Sequence, residues 1–129
     1  MDIEVTFPGG ARVDAKLGDH VIKTDQPPKA GGEGSAPTPF QHFLASLVTC
    51  AGIYVLEFCR KRDIPTDDIR LTQTHEVDRS TGMITRIELT IDLPPDFPEQ
   101  YKDAVVRSAE TCAVKKHLAS PPEIEVVTS

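Results

Sequence analysis

The stretch PTPFQHFLASLVTCAGIYVLEFCRKR, residues 37–62, decides the fold. Thr38 is placed to cap a helix, Pro39 suits the first turn, where a missing N–H costs nothing, and Gln41 three residues on completes a capping box. At about 100° per residue, Phe40, Phe43, Leu44, Leu47, Val48, Ala51, Tyr54, Val55 and Phe58 fall on one broad stripe. The opposite side carries Ala45, Ser46, Thr49, Gly52, Ile53 and Leu56, and no residue from Phe40 to Leu56 is formally charged at neutral pH. A helix apolar on nearly every side is surrounded by protein rather than laid on a surface. Gln41, His42, Ser46 and Thr49 interrupt the roughly 20 apolar residues that a membrane span needs, which predicts a buried helix in a soluble protein and no membrane partner.

Cys50 lies at the edge of the stripe, on the Phe43, Leu47 and Tyr54 side, whereas Cys59 points about 180° away, so these two are not expected to act together. A free cysteine on such a helix also serves as a small core hydrophobe. What points to chemistry is another cysteine, Cys112, in a comparable setting near the other end of the chain. The 129 residues fit one domain spanning positions 1–129. Covering the long helix on every side takes more surface than a chain of this size supplies, and a second copy of the chain is the expected cover. A net charge of −6 and a pI near 5.1, with dispersed Lys and Arg, argue against nucleic acid or an anionic membrane surface as partner. MDIEVTFPGG has no apolar signal region, and three cysteines, an odd number, fit a reducing cytoplasm in which any disulfide is transient.

Working outward, Ile3, Val5 and Phe7 alternate with polar residues, Pro8-Gly9-Gly10 turns the chain into Arg12–Leu17, and Gly18-Asp19 turns it again into His20–Thr24. This predicts a three-stranded meander. DQPPKAGGEGSA, residues 25–36, reads as an exposed loop that delivers the chain to the helix, either as a lid or as a plain linker. Beyond the helix, Asp63-Ile64-Pro65 stops it, and Ile69 to Val77 followed by Met83 to Leu93 predict an antiparallel strand pair, with Met83, Thr85, Ile87, Leu89 and Ile91 on one face. Asp96 and Glu99 suggest a capping box for a second helix. Thr111 is placed to cap a third that starts at Cys112 and ends near Ala119, and Ile124, Val126 and Val127 suggest a last strand.

In the first turn of a helix capped by Thr111, the Cys112 thiol would meet free backbone N–H groups, with Lys115, Lys116 and His117 nearby, and such a setting favours a thiolate. Since a thiolate is both nucleophile and metal ligand, two readings follow. One is a two-cysteine peroxide reductase, in which one thiolate opens the O–O bond and the other thiol closes a disulfide, with Arg12 as the first cation to consider beside Cys50. The other is a zinc site from Cys50, Cys112, His117 and His42; no closely spaced cysteine pair supports it, so no metal is expected. Gly31-Gly32-Glu33-Gly34 lacks the features of a phosphate loop, and Glu88, Asp92 and Glu110 read as solvated charges.

The Gly-rich loop, Pro37-Thr38-Pro39 opening an apolar helix, Leu44-Ala45-Ser46-Leu47-Val48-Thr49-Cys50, and Ala109-Glu110-Thr111-Cys112-Ala113-Val114 followed by Leu118 together resemble the OsmC/Ohr family of osmotically induced and organic hydroperoxide resistance proteins. The resemblance covers nearly the whole chain. It implies an α+β fold in which two chains intertwine as a homodimer, with an N-terminal meander, a long buried central helix, an antiparallel strand pair, C-terminal helices and a final short strand. It also implies thiol-dependent reduction of hydroperoxides without a cofactor, Cys50 being peroxidatic and Cys112 resolving, with a dithiol such as a lipoyl protein as reductant. Active members add an Arg and a Glu that orient and ionise the first thiol, roles for which Arg12 and Glu33 stand here. Where the best characterised branch has its Glu, directly after the helix-opening Pro, this chain has Phe40; Ala113 replaces a frequent Pro, and Cys59 has no counterpart. A redox sensor without turnover, or a binder of a small apolar ligand between subunits, is the alternative.

Overall fold

The computed structural model describes residues 1–129 and divides them into two compact units, Met1–Ala45 and Ser46–Ser129, the division falling inside the long helix. In the first unit, β1 (Ile3–Gly9), β2 (Arg12–Leu17) and β3 (His20–Thr24) form the expected antiparallel meander in the order β1-β2-β3. Neither face of this sheet is buried: Ile3 is 57%, Val5 51% and Phe7 80% exposed, and no apolar residue before Leu47 belongs to the core. The first helix, α1 (Pro39–Arg60), begins as read, because the Thr38 N–H donates to Gln41 Oε1 at 2.9 Å and the Gln41 N–H donates to Thr38 Oγ1 at 3.2 Å. His42 Nε2 meets the Lys23 carbonyl at 2.9 Å and so ties this first turn to β3.

Leu47, Ala51, Val55, Phe58 and Cys59 form the buried stripe of α1, narrower than the pattern of apolar residues suggests. Phe40, in the first turn, and Ile53, on the opposite side of the helix from the stripe, stay exposed. Length and a mean hydropathy of 1.6 would let α1 cross a membrane, yet its lower half closes a protein core. Val55, Phe58 and Cys59 meet Phe97 and Val105 there, with Ile64, Leu71, Ile91 and Tyr101 packed around them. Arg62 lies 3.6 Å above the Phe58 ring, and its Nη1 donates to the Phe58 carbonyl at 2.9 Å.

β4 (Arg70–Val77) and β5 (Ile84–Asp92) pair antiparallel from Arg70↔Asp92 to Val77↔Ile84. The expected parity holds at Ile87, Leu89 and Ile91 but fails at the start of β5. A bulge at Glu76/Val77 inserts one residue, so Ile84 turns inward while Met83 and Thr85 face outward. Helix α2 (Lys102–Glu110) follows a 3-10 turn at Glu99–Tyr101, and α3 (Ala113–Ala119) follows α2. No Asp96 and Glu99 capping box forms; Glu99 instead pairs with Lys102 at 2.8 Å. The last strand is also absent. Ile124, Val126 and Val127 are 83%, 92% and 74% exposed in a segment without secondary structure, because no neighbouring strand offers its backbone a ladder.

Candidate functional site: two cysteines and a groove

All three thiols are free. Cys112 is 1% exposed and is itself the N-cap of α3: its backbone is extended, and its Sγ accepts the Lys115 N–H at 3.4 Å. The expected cap, Thr111, belongs to the preceding helix, where its hydroxyl donates to the Ser108 carbonyl at 2.7 Å. The thiol therefore lies not in the first turn but at the N-cap position, where it directly accepts a backbone N–H. The cluster of cations is only partly there. Lys115 shares a groove with Cys112, while His117 Nδ1 donates to the Ala113 carbonyl at 2.6 Å on the exposed flank of α3.

That groove is a cavity of about 510 Å³ in the second unit. Leu47 and Ala51 of α1 form one wall, Ile84, Ile87, Leu89 and Ile91 of β5 another, and Ala109, Cys112 and Leu118 of the C-terminal helices the third. Cys50, half-buried and next to Ala51, does not line it. Arg86, Glu88, Glu110 and Lys115 border the same groove and are all exposed, so Glu88 and Glu110 remain solvated carboxylates; Arg86 Nη2 donates to Glu88 Oε2 at 2.8 Å.

Cys59 is fully buried, and burial pushes its thiol up from the ordinary cysteine range, with the nearby Arg62 charge a smaller opposing influence. No group of three His, Cys, Asp or Glu side chains gathers in the chain, so the set Cys50, Cys112, His117 and His42 is not assembled into a zinc site.

In the first unit, Arg12 is exposed, donates through Nε to the Gly9 carbonyl at 3.3 Å and lines a cavity of about 190 Å³ with Asp14, Lys23, Thr24 and Ser35. Glu33 is exposed on the loop between β3 and α1. This loop is not the open connection its composition suggests. Asp25, 1% exposed, accepts the Gln26 N–H at 2.7 Å, the Ser35 N–H at 3.0 Å and the Ser35 hydroxyl at 2.5 Å. The Ser35 hydroxyl first, then the Ser35 and Gln26 N–H groups, hold the Asp25 carboxyl down to about 2, against the burial that raises it. The signal in the sequence was an Asp and a Ser bracketing a Pro-Pro and Gly-rich segment, a composition that closes loops as readily as it frees them.

Residues 32–127 match the family described as OsmC-like protein. Among solved structures, the chain is similar to a protein of Psychrobacter arcticus, with 22% identity, 88% of this chain and 85% of that one covered and a TM-score of 0.74. It is similar to an OsmC-like protein of Mycoplasma pneumoniae, with 14% identity, coverage of 93% and 87% and a TM-score of 0.71. The organic hydroperoxide resistance protein OhrB of Bacillus subtilis matches at 21% identity, coverage of 94% and 93% and a TM-score of 0.55. At these identities the likenesses establish the α+β fold alone. No curated protein matches the sequence.

Proposed function

The chain belongs to the OsmC-like protein family, and from that premise we propose that it is a thiol-dependent peroxidase of organic hydroperoxides serving oxidative-stress defence. The observation that carries this reading is the place of Cys112, buried on the same groove as Leu47 and Ala51, the residues of α1 that bracket Cys50. That OhrB is a hydroperoxide resistance protein supports it. In the first step the Cys50 thiolate attacks the distal peroxide oxygen, the O–O bond breaks, and an alcohol leaves once its oxygen takes a proton. Cys50 is now a sulfenic acid. The Cys112 thiolate attacks the oxidised sulfur, hydroxide leaves and takes a proton to become water, and a Cys50–Cys112 disulfide remains. A dithiol, such as a lipoyl group, reopens it by exchange and is itself oxidised. Arg12 would stabilise the Cys50 thiolate, and Glu33 would orient Arg12 in place of an acid at Phe40.

Peroxide consumption with a dithiol reductant tests this reading. Wild type should consume an alkyl hydroperoxide, Cys50→Ser should abolish consumption, and Cys112→Ser should leave a sulfenic acid trappable by dimedone. Mass spectrometry of oxidised wild type should find a Cys50–Cys112 link with Cys59 reduced. A link through Cys59, or no intramolecular link, would refute the pairing. A second reading, a binder of a small apolar ligand or a redox sensor, is favoured by one observation, namely that Cys50 lies outside the lining of a largely apolar groove. Such a protein would show no turnover. We also propose a homodimer as the working form, supported by a meander without a covered face and by the unpaired apolar C-terminal segment. A folded monomer at micromolar concentration in sedimentation would overturn it.

A further inference from the structure

In the reduced chain the Cys112 sulfur is a structural acceptor as well as a thiol. It takes the Lys115 N–H at 3.4 Å, the bond that a Ser or Asp oxygen makes at most helix starts. Little else holds the helix that it caps. α3 has seven residues, none of them buried, Leu118 is half exposed, and from Pro121 onward the chain has no secondary structure. A helix this short is marginal in water by itself, because its first turn is costly to fix. The remaining local bonds, from the Lys116 N–H to the Cys112 carbonyl at 3.1 Å, from the Ser120 N–H to the Lys116 carbonyl at 3.0 Å and from His117 to the Ala113 carbonyl, form only once the helix has formed. Through Lys115 and Leu118, α3 is also part of the groove wall, and the thiol at its head is 1% exposed. Thiol–disulfide exchange needs access to the attacked sulfur, so a closed α3 shuts an external dithiol out from Cys112.

We propose that α3 is a redox-operated gate: bonding of the Cys112 sulfur to Cys50 takes it from the Lys115 N–H, uncaps α3 and opens the groove to the dithiol that must reduce the bridge. The inference rests on the Cys50–Cys112 disulfide of the proposed peroxidase. In that oxidation two thiols and one hydroperoxide give the disulfide, an alcohol and water, so two electrons and two protons leave the thiols. A bridged sulfur is placed by its bonding partner rather than by the helix that follows it, and the Lys115 N–H then loses its acceptor. Reduction frees the sulfur and restores the cap. The gate therefore opens when there is a disulfide to reduce and shields the thiol when there is none.

The test uses the full chain and two readouts, amide hydrogen exchange over Lys115 to Ala119 and trypsin cleavage after Lys115 and Lys116, each taken relative to exchange at the core residues Val55 and Val105 so that local opening is told from global unfolding. In reduced protein, Cys112→Ala should speed both roughly fivefold, the usual effect of losing an N-cap acceptor. Cys112→Ser, whose oxygen is the better acceptor, should be as slow as wild type or slower. Wild type oxidised with tert-butyl hydroperoxide or with diamide, and shown by mass spectrometry to carry the Cys50–Cys112 link, should lose protection over α3 by at least the factor seen in Cys112→Ala and regain it with dithiothreitol. Cys50→Ser given the same hydroperoxide should not change. Cys112→Ala exchanging like wild type, or no faster than Val55 and Val105 account for, would overturn the cap. A bridged chain whose α3 amides stay as protected as in the reduced one, or a chain in which neither oxidant closes the bridge, would overturn the gate. Failure of the peroxidase reading would appear separately, as wild type without peroxide turnover while the bridge made by diamide still uncaps α3.

Discussion

The end of the cysteine helix offers a quantitative test. Asp63 has a φ of 54°, in the left-handed region, and is the one non-glycine residue in the chain with positive φ. The Ile64 N–H donates to the Cys59 carbonyl at 2.9 Å and the Asp63 N–H to the Arg60 carbonyl at 3.3 Å, while Ile64 packs on the core cluster. These bonds, with their apolar contact, are a Schellman termination, in which the left-handed position is most often glycine. Left-handed backbone costs an L-residue about 1 kcal/mol, somewhat less for Asp. The Asp63 carboxylate also faces the negative end of the helix, a penalty of about 0.3–1 kcal/mol. Against both stands the extra freedom that glycine gives the unfolded chain, about 0.5–1 kcal/mol. Asp63→Gly should therefore stabilise by roughly 0.5–1 kcal/mol, a rise in Tm of about 2–5 °C for a chain of this size. Asp63→Asn, which keeps the tolerance for positive φ and removes the charge, isolates the dipole effect and should give about half of that. Asp63→Val should lose roughly 1–2 kcal/mol, because a branched side chain has no comfortable place there. Thermal unfolding in reducing buffer, checked for reversibility, reads all three. A glycine variant no more stable than wild type, or a valine variant that is tolerated, would refute the strain argument.

Three further outcomes follow from the same structure. Cys59→Ser places a hydroxyl at a fully buried apolar position and should destabilise by roughly 1–3 kcal/mol in urea unfolding, and native Cys59 should alkylate far more slowly than Cys50. Asp25 titrates lower in the folded chain than in the unfolded one, so its stabilisation is complete above about pH 4 and lost as pH falls toward about 2. Proton NMR of the Ser35 amide across that window should show the loss, and an amide unchanged down to pH 2 would contradict it. Phe40 is 56% exposed and touches Phe43, with ring centroids 5.5 Å apart, so Phe40→Glu should cost little stability. It should raise peroxide turnover if Arg12 is poised to meet an acid there; an unchanged rate would remove Arg12 from the reaction.

What the sequence made legible is what short-range chemistry decides. The capping box of Thr38 and Gln41 formed as read because both of its partners lie within one turn. The meander followed from alternation plus Gly turns, since a period of two and a tight turn leave few other pairings. Errors of one residue came where two local options are close in energy. Thr111 and Cys112 are both able to precede α3, and Thr111 closes the end of α2, its N–H and its hydroxyl both donating to the Ser108 carbonyl. At Glu76/Val77 a bulge moved Ile84 to the inner face, and no periodicity count detects an inserted residue.

The remaining misses concern partners far apart in sequence. Asp25 looked like one more polar loop residue, because nothing local says that Ser35, Gly32 and Gln26 will converge on it. Its carboxylate is buried only because the loop closes, and the loop closes only because Gly32 leaves room at the crossing. Apolar patterning erred in the other direction. It marked Ile3, Val5, Phe7, Ile124, Val126 and Val127 as residues to be covered, and within one chain all of them stay exposed. Alternation in β1 carries no information about which surface will meet it, only that one face prefers to leave water. A sheet with an apolar face and no covering layer within its own chain is not a stable solution by itself. The pattern therefore reports apolar surface that this chain leaves without a cover, and the same reasoning that misplaced the last strand is the physical ground on which the dimer is proposed.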